Sequence, residues 1–278
     1  MKGSVKAMSI HVLEKFPVHA VFSTRQDGIM GSSKNPGPGG EYVKNRNRFA
    51  SRFGINAPTQ LVMMGQVHGK TVRRIPPFPK PERTFGTDGT AVAVLRVPDT
   101  DGLVALMDTP KIALAAFASD CHLAYLYYPA AERGLPAIIG IVHCGRAGQR
   151  LNIARESIQR IWRAGATSVS EIQVAIGPGI CRRCHILYPE RHASDIMFFR
   201  REYEDFVEEI DEPRGAVALD SIGILRHQFL AEGLKEQNIE VVGMCTACPE
   251  NRALFISHRR DHTPDGANMN QMGFIVPA

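Results

Sequence analysis

The sequence lacks any apolar run approaching the 18 or more residues that a membrane-spanning helix needs. Its N-terminus, MKGSVKAMSIHVLEKF, also lacks the apolar core of a secretory signal peptide. These absences predict a soluble, cytoplasmic protein without a membrane association. Six cysteines among 278 residues are ordinary usage, and in a reducing compartment such cysteines are more often thiols or metal ligands than disulfides.

Long basic tracts are also absent, although the formal net charge is +5. Nucleic-acid-binding proteins concentrate their basic residues in a stripe or a recognisable module, whereas here most of them are scattered or paired. We therefore expect no nucleic-acid partner. The basic residues are interpreted as a solvated surface, with a few arginines that folding could gather around a small anion such as phosphate.

Three motifs of large enzyme classes are missing. The G-x-S-x-G sequence that positions a hydrolase serine is absent, which disfavours a Ser/His/Asp hydrolase. Neither the dinucleotide-binding G-x-G-x-x-G nor the P-loop sequence is present. The function therefore has to be sought in other constellations.

Short apolar strands alternate with amphipathic helices along the whole chain. With 44% hydrophobic residues the chain can build a sizeable core, and no linker or repeat divides it. This pattern predicts an α/β fold with a mixed sheet, formed by residues 1–278 as a single domain.

The central stretch of the chain holds the most informative pattern. Two apolar runs, Ile112 to Phe117 and Ile138 to Val142, are predicted to be buried strands, and polar clusters containing Cys121 and His143 follow them. A third run, QLVMMGQVH, is predicted as a strand that ends on His68. Neighbouring strands would place these side chains at one sheet edge, where ligands gather.

Two imidazoles and one thiolate form a plausible ligand set for Zn²⁺. Three protein ligands leave a fourth position for water, as in catalytic rather than structural zinc sites, and the metal would hold Cys121 as the thiolate. No local spacing joins the three residues, so the alternative is an ordinary buried cysteine and hydrogen-bonded histidines. Asp99 and Asp101, before the next strand, are interpreted as turn formers.

Copper is the alternative metal, because the same three donors suit a type 1 copper site. A multicopper oxidase also needs a second cluster built from many histidines, commonly in H-x-H pairs. None of the ten histidines in this chain forms such a pair.

Four further cysteines form two C-x-x-C pairs, Cys181 with Cys184 and Cys245 with Cys248. They would make a Cys₄ structural zinc site if the fold joined them, but their separation far exceeds the roughly 15 to 20 residues typical of a zinc ribbon. His185 completes a C-x-x-C-H haem-attachment motif. We reject haem because that attachment occurs outside the cytoplasm and the sequence shows no export signal.

Several short motifs in register resemble the laccase-domain family, also called multicopper polyphenol oxidases. They are QVHG at 66–69, ASDC at 118–121, HCG at 143–145, IGPGI at 176–180 and FISHRRD at 255–261, joined by FSTR at 22–25, NR at 45–46 and DGLV at 101–104. The resemblance covers most of the chain. It implies a single-domain, layered αββα fold with mixed sheets flanked by helices.

The resemblance also implies a function and a site. Family members are understood as zinc-dependent phosphorylases of adenosine, inosine, guanosine and methylthioadenosine, with adenosine deaminase activity in addition. Their metal ligands correspond to His68, Cys121 and His143, so Cys121 is expected in the catalytic centre. Purine nucleoside and phosphate would be the small-molecule partners, and the oligomeric state stays open.

Individual roles follow from the chemistry of those two reactions. In deamination an activated water attacks the purine and a nearby acid moves protons, for which Asp120 is the candidate. In phosphorolysis guanidinium groups must hold the phosphate, and by motif position Arg25, Arg46 and Arg259 are the candidates.

The sequence departs from the family at several of these motifs. Where the family has H-A-G-W-R-G, residues 143–148 read HCGRAG, and the segment that the family ends on T-G-R is unrecognisable. Substrate choice could therefore differ, or activity could have been lost. The alternatives are a copper-dependent polyphenol oxidase and a non-catalytic, metal-stabilised nucleoside-binding protein.

Overall fold

The structure is a computed structural model. It describes residues 10–32, 40–76, 82–85, 91–107, 111–129, 134, 136–211, 214–261 and 269–278. Within these ranges the chain forms six α-helices and seventeen β-strands, and none of these helices is long and apolar enough to cross a membrane.

The helices are α1 (Glu41–Ser51), α2 (Ala57–Gln60), α3 (Arg146–Arg150), α4 (Ile153–Ala164), α5 (Pro189–Glu202) and α6 (Ser221–Ala231). The strands are β1 (Ile10–Val12), β2 (Val18–Phe22), β3 (Gly31–Ser32), β4 (Leu61–Met64), β5 (Val72–Arg74), β6 (Glu82–Phe85), β7 (Ala91–Val97), β8 (Gly102–Leu106), β9 (Ala113–Ala118), β10 (His122–Tyr128), β11 (Ile138–Cys144), β12 (Gln173–Ile176), β13 (Ile186–Leu187), β14 (Val207–Glu209), β15 (Val217–Leu219), β16 (Ile239–Val241) and β17 (Met269–Pro277).

The strands form three sheets. The first has the order β1-β2-β17-β9-β4-β7-β6, with β3 paired to β17, and the second has the order β16-β12-β10-β11-β8-β5. A small third sheet has the order β13-β15-β14. Both large sheets mix parallel and antiparallel pairs, for example β4 parallel to β9 and β10 antiparallel to β11.

The two large sheets pack face to face across one apolar core. Leu114 and Ala116 of β9 lie in this core with Tyr125 of β10 and Ile141 of β11, all fully buried. The ring of Tyr125 crosses the interface, since its hydroxyl donates to the backbone oxygen of Val21 in the first sheet at 3.0 Å. Burial of apolar area at about 25 cal/mol per Å² makes this layer a main source of stability.

Helices cover the outer face of each large sheet. Phe49 of α1 packs on the first sheet, while Ile158 of α4 and Phe229 of α6 pack on the second. The α4 helix begins at Ile153 after the N-cap Asn152, whose side-chain oxygen accepts from the backbone N–H of Arg155 at 3.1 Å. The layered αββα arrangement with mixed sheets is therefore confirmed.

Two details of the predicted strands are wrong, and both concern the candidate site. The strand predicted to end on His68 ends at Met64, because the backbone N–H groups of Val67, His68 and Gly69 donate to the carboxylate of Asp101 and not to a neighbouring strand. The strand that precedes Cys121 and the strand that contains His143 are not neighbours in one sheet. They are β9 in the first sheet and β11 in the second, and the turn between β9 and β10 brings them together.

Candidate metal centre

Three side chains converge where the two large sheets meet. The ligand atoms of His68, Cys121 and His143 all lie within 4.8 Å of one another, and the two imidazole rings stand nearly perpendicular with their centroids 5.0 Å apart. His68 lies in the loop after β4, Cys121 in the turn between β9 and β10, and His143 near the end of β11. His68 is exposed, Cys121 is half-buried and His143 is buried, so the centre opens to solvent on the His68 side.

The loop that carries His68 is held in an unusual conformation. His68 has φ of 58°, in the left-handed region that side-chain-bearing residues rarely adopt. Three successive backbone N–H groups, of Val67, His68 and Gly69, donate to the carboxylate of Asp101 at 3.3, 3.0 and 2.7 Å. The loop is therefore wrapped around one buried anion.

The same carboxylate orients the second histidine. Asp101 is fully buried, and its Oδ1 lies 3.0 Å from Nδ1 of His143, while its backbone oxygen accepts from the N–H of His143 at 2.8 Å. Burial alone would raise the pKa of Asp101, but the hydrogen bonds from the His143 ring and the loop N–H groups lower it. With Nδ1 engaged, Nε2 of His143 is left to face the centre, as is common for metal-binding histidines.

Sequence reasoning missed this role of Asp101 and saw only a turn former. Its contacts depend on the pairing of β8 with β11, which sets Gly102 opposite Val142 and carries Asp101 to His143. The available signal was the family-like motif DGLV at 101–104, which contains Asp101.

Electrostatics favours an ionised sulfur at the centre. Burial of Cys121 opposes the thiolate, but the charge and hydrogen bonds of His143 and His68 lower its pKa to about 6. Burial likewise opposes the imidazolium of His143, but the charge of Cys121 and the hydrogen bond to Asp101 raise its pKa to about 9. A thiolate is the form of cysteine that binds a metal.

The backbone leaves room for an ion beside these donors. A Cβ atom at Gly145 would lie 3.1 Å from Sγ of Cys121 and 3.5 Å from Nε2 of His143. Glycine therefore keeps clear the space between two of the three donors. Two nitrogens, one sulfur and an open side fit a zinc ion that retains a site for water, and the same donors fit copper.

Asp120, the predicted proton carrier, lies directly before Cys121 and joins two other segments to the centre. Its Oδ1 accepts from the Thr246 hydroxyl at 2.7 Å, and its Oδ2 accepts from the backbone N–H of Arg259 at 2.7 Å. Asp120 therefore fixes the turn that holds Cys121. Its role in proton transfer stays a prediction.

The three predicted phosphate-binding arginines differ in their partners. The guanidinium of Arg46 lies 5.7 Å from the ring centroid of Phe117, near the end of β9, and Nη1 donates to the sulfur of Met63 at 3.2 Å. Burial lowers the pKa of Arg46 to about 10. Among the described residues Arg46 pairs with no carboxylate.

Arg259 and Arg25 are more engaged. Arg259 donates through Nη2 to the backbone oxygen of Ile186 at 2.8 Å and lies beside the ring of Tyr188, with 6.0 Å to the centroid. Arg25 forms an ion pair with Asp261, so much of its charge is already balanced. Arg259 thus contacts the Asp120 turn, and Arg46 contacts β9, the strand before that turn. Arg25 is linked to the segment of Arg259 through its ion pair with Asp261.

The altered segment at 143–148 places its arginine in an ion pair. Arg146, where the family has Trp, is the first residue of α3, and its Nε lies 2.7 Å from Oδ2 of Asp195 on α5. Arg150 pairs with the same carboxylate. Where the family has an aromatic residue, this chain therefore has a charged link between α3 and α5.

The family model described as multi-copper polyphenol oxidoreductase laccase matches residues 19–275 of this chain. That match covers the three metal-donor residues, the Asp120 turn and the three arginines. The chain belongs to this laccase family. The expectation drawn from the short motifs is thus confirmed for the family and the fold.

Named relatives and solved structures agree with the family assignment. The chain is 30% identical over 84% of its length to purine nucleoside phosphorylase YlmD of Geobacillus stearothermophilus, of which it covers 78%. It is 30% identical over 59% of its length to purine nucleoside phosphorylase Cj1217c of Campylobacter jejuni, of which it covers 62%. The crystal structure of the hypothetical protein YfiH of Bacillus licheniformis has the same fold, with a TM-score of 0.74, 24% identity and coverage of 98% of this chain and 97% of that one.

Proposed function

We propose that this laccase-family protein is a zinc-dependent purine nucleoside phosphorylase that also deaminates adenosine. The observation that carries the proposal is the convergence of His68, Cys121 and His143 on one open-sided centre. The names of the relatives support the phosphorylase activity, and the donor set supports the metal. Zinc, deamination and the choice of nucleoside are proposed from the chemistry of the site.

The protein residues would hold the ion in a fixed geometry. Asp101 orients the His143 ring and pins the His68 loop, so both imidazoles are placed before any metal binds. When bound, zinc would supply Lewis-acid chemistry and activate water near neutral pH. The exposed side of His68 gives substrate access to the centre.

Phosphorolysis needs a place for an anion near the sugar, and Arg46 is the best candidate among the three arginines. Its charge is partly buried over Phe117 and lacks a carboxylate partner among the described residues, so a phosphate dianion would be a favourable counter-charge. Arg259, whose backbone N–H donates to Asp120, would provide a second guanidinium for the same anion.

Deamination needs a group that accepts and returns a proton, and Asp120 is the candidate for that role. Each of its carboxylate oxygens accepts one hydrogen bond from the protein, which leaves lone pairs for a substrate. The contacts with Thr246 and Arg259 would fix its orientation during the reaction. Because Asp120 directly precedes Cys121 in the chain, we propose that its carboxylate serves the same centre.

Copper-dependent polyphenol oxidation is the alternative that the family description favours. That chemistry needs a further histidine-rich copper cluster. In the part of the chain that the structure describes, three or more His, Cys, Asp or Glu donors converge at two places. One is the centre of His68, Cys121 and His143, and the other is made only of cysteines. The donor inventory therefore supports zinc chemistry over a multicopper reaction.

The test combines metal analysis with product identification. Protein purified with its own metal is incubated with adenosine and phosphate, and the products are separated by chromatography. Free adenine is expected from phosphorolysis, and inosine from deamination. Omission of phosphate should abolish adenine and leave inosine, which separates the two reactions.

Three other results would overturn the proposal. Neither product, together with tight nucleoside binding, would identify a non-catalytic binding protein. Copper in the protein together with oxidation of phenols would establish the oxidase. Adenine that forms equally in protein stripped of metal and confirmed metal-free would show that the centre does not serve the reaction.

A further inference from the structure

A second cluster of metal-binding side chains lies outside the proposed active centre. The four sulfurs of Cys181, Cys184, Cys245 and Cys248 all lie within 4.8 Å of one another. Their sequence separation made a shared site unfavourable as a prediction, yet the fold joins the two pairs. We propose that these four cysteines bind a structural zinc ion.

The sulfur spacing fits one tetrahedral ion. Zinc bonded to four thiolates at about 2.3 Å sets the sulfurs about 3.8 Å apart. Sγ of Cys248 lies 3.7 Å from Sγ of Cys181 and 3.6 Å from Sγ of Cys184. All four cysteines are free thiols in the structure, and a cluster of several iron atoms would hold them farther apart.

The backbone forms the turns that such a site needs. The N–H of Cys184 donates to the backbone oxygen of Cys181 at 3.0 Å, which closes a tight turn and sets both sulfurs on one side. The second pair is fixed by Asn251, whose side chain donates to the backbone oxygen of Cys245 at 2.9 Å and whose N–H donates to the oxygen of Cys248 at 3.1 Å. A parallel bridge between Gly179 and Cys245 then joins the two turns.

The surroundings also suit thiolates. The backbone N–H of Cys181 points to Sγ of Cys245 at 3.3 Å, and the guanidinium of Arg183 lies 3.1 Å from Sγ of Cys248. Zinc with four thiolates carries a net charge of −2, so a nearby guanidinium and an N–H donor offset part of it. Cys245 and Cys248 are buried and the other two are half-buried, which leaves little access for water.

This zinc ion would position the Asp120 turn without touching substrate. Ile180, directly before Cys181, donates its N–H to the backbone oxygen of Asp120 at 2.8 Å, and Thr246, directly after Cys245, donates to the Asp120 carboxylate. The four cysteines therefore tie together the two segments that support the turn next to Cys121. The inference does not depend on which reaction the first centre catalyses.

The test uses a full-length protein that lacks the first centre. In His68→Ala/His143→Ala protein, metal analysis should find one tightly held zinc per chain, and X-ray absorption should show four sulfur neighbours at about 2.3 Å. Adding Cys181→Ser/Cys184→Ser to that protein should remove the zinc. Cys144→Ala, a change to the buried cysteine outside both clusters, should leave it in place.

The wild-type chain gives a measurement that does not depend on how the variants fold. Its total zinc should be about two per chain, one of them the first-centre zinc that belongs to the proposed function, and cobalt substitution should give the intense visible absorption of tetrahedral Co²⁺ with several thiolates. Iron in place of zinc, disulfides between the pairs detected by mass spectrometry, or a double-histidine protein that folds but holds no metal would each overturn the proposal.

Discussion

The His68, Cys121 and His143 centre and the four-cysteine cluster take their donors from the chain in different ways. The first gathers single residues from a loop, a turn and a strand, and its outermost ligand is exposed. The second gathers two local pairs, all sulfur, half-buried or buried. Three donors with an open side suit exchange of water or substrate, whereas four donors without one suit a structural ion.

The supports of the two clusters differ as well. The open centre depends on one buried carboxylate, Asp101, which contacts both histidine segments. The closed cluster depends on backbone turns and on Asn251. The three-donor centre thus relies on a buried side-chain partner to hold its ligands, whereas the four-cysteine cluster is held by the turns of its own segments and by Asn251. Four sets of substitutions test this contrast, beginning with the largest expected effect.

Loss of a donor should have the largest effect on the open centre. His143→Ala removes the buried ligand, so zinc should be lost there and both reactions should fall by more than the roughly 10- to 100-fold that loss of an outer partner costs. Metal analysis and product chromatography measure this. The exposed His11 on edge strand β1 provides the control, since His11→Ala should change neither. Retained turnover in the His143 variant would refute the assignment.

Asp101→Asn should weaken the open centre less severely. The loop N–H groups at residues 67–69 and the His143 ring need an acceptor, but the asparagine amide can present an NH₂ group to them. Zinc affinity at the three-donor centre should therefore drop by about 10- to 100-fold. Competition with a chromophoric chelator measures the affinity. Asp99→Asn is the matched control, because Asp99 is exposed and its φ of 48° is a conformation that asparagine tolerates. Equal affinities in the two variants would contradict the role given to Asp101.

Arg46→Met should affect phosphate binding rather than metal. Loss of a charge-assisted hydrogen bond of about 1.5 kcal/mol should raise KM for phosphate roughly tenfold, with a smaller change in kcat and no loss of zinc. Initial rates at varied phosphate measure both constants. Lys44→Met removes an exposed positive charge from the same helix and should leave KM unchanged. A rise in KM shared by both variants would indicate only a general charge effect.

Cys181→Ser/Cys184→Ser should have the smallest effect on turnover at the open centre. The change acts only through the segments that support Asp120, so kcat should fall a few-fold while the first zinc stays bound. The thermal unfolding midpoint should nevertheless decrease, because the variant loses the link between two loops. Calorimetry measures this decrease. An unchanged midpoint together with unchanged zinc content would show that the cluster holds no structural ion.

Local patterns predicted much of the architecture. The apolar runs at the centre of the chain became β9 and β11, and the alternation of helices and strands predicted the mixed α/β class. The error at His68 arose because an apolar run does not show where a strand leaves its sheet. The loop after β4 folds around the carboxylate of Asp101, which lies more than 30 positions away and leaves no mark in the local sequence.

The sequence predicted the metal donors of the candidate site but not the residues that hold those donors in place. His68, Cys121 and His143 were named from donor chemistry and family motifs. Asp101 was interpreted as a turn former, since the four hydrogen-bonding contacts of its carboxylate come from residues more than 30 positions away. The four cysteines were set aside for the same reason. The distance between the two pairs along the chain says nothing about their distance in space.

The sequence by itself determined which donors the chain could offer, because the chemistry of imidazole, thiolate and guanidinium belongs to each residue. It also determined the buried strands, because apolar patterning is a local property. Only the tertiary structure decided which donors could share an ion. That decision rests on long-range strand pairing and on the packing of two sheets, in which Asp101 reaches His143 and Cys245 reaches Cys181.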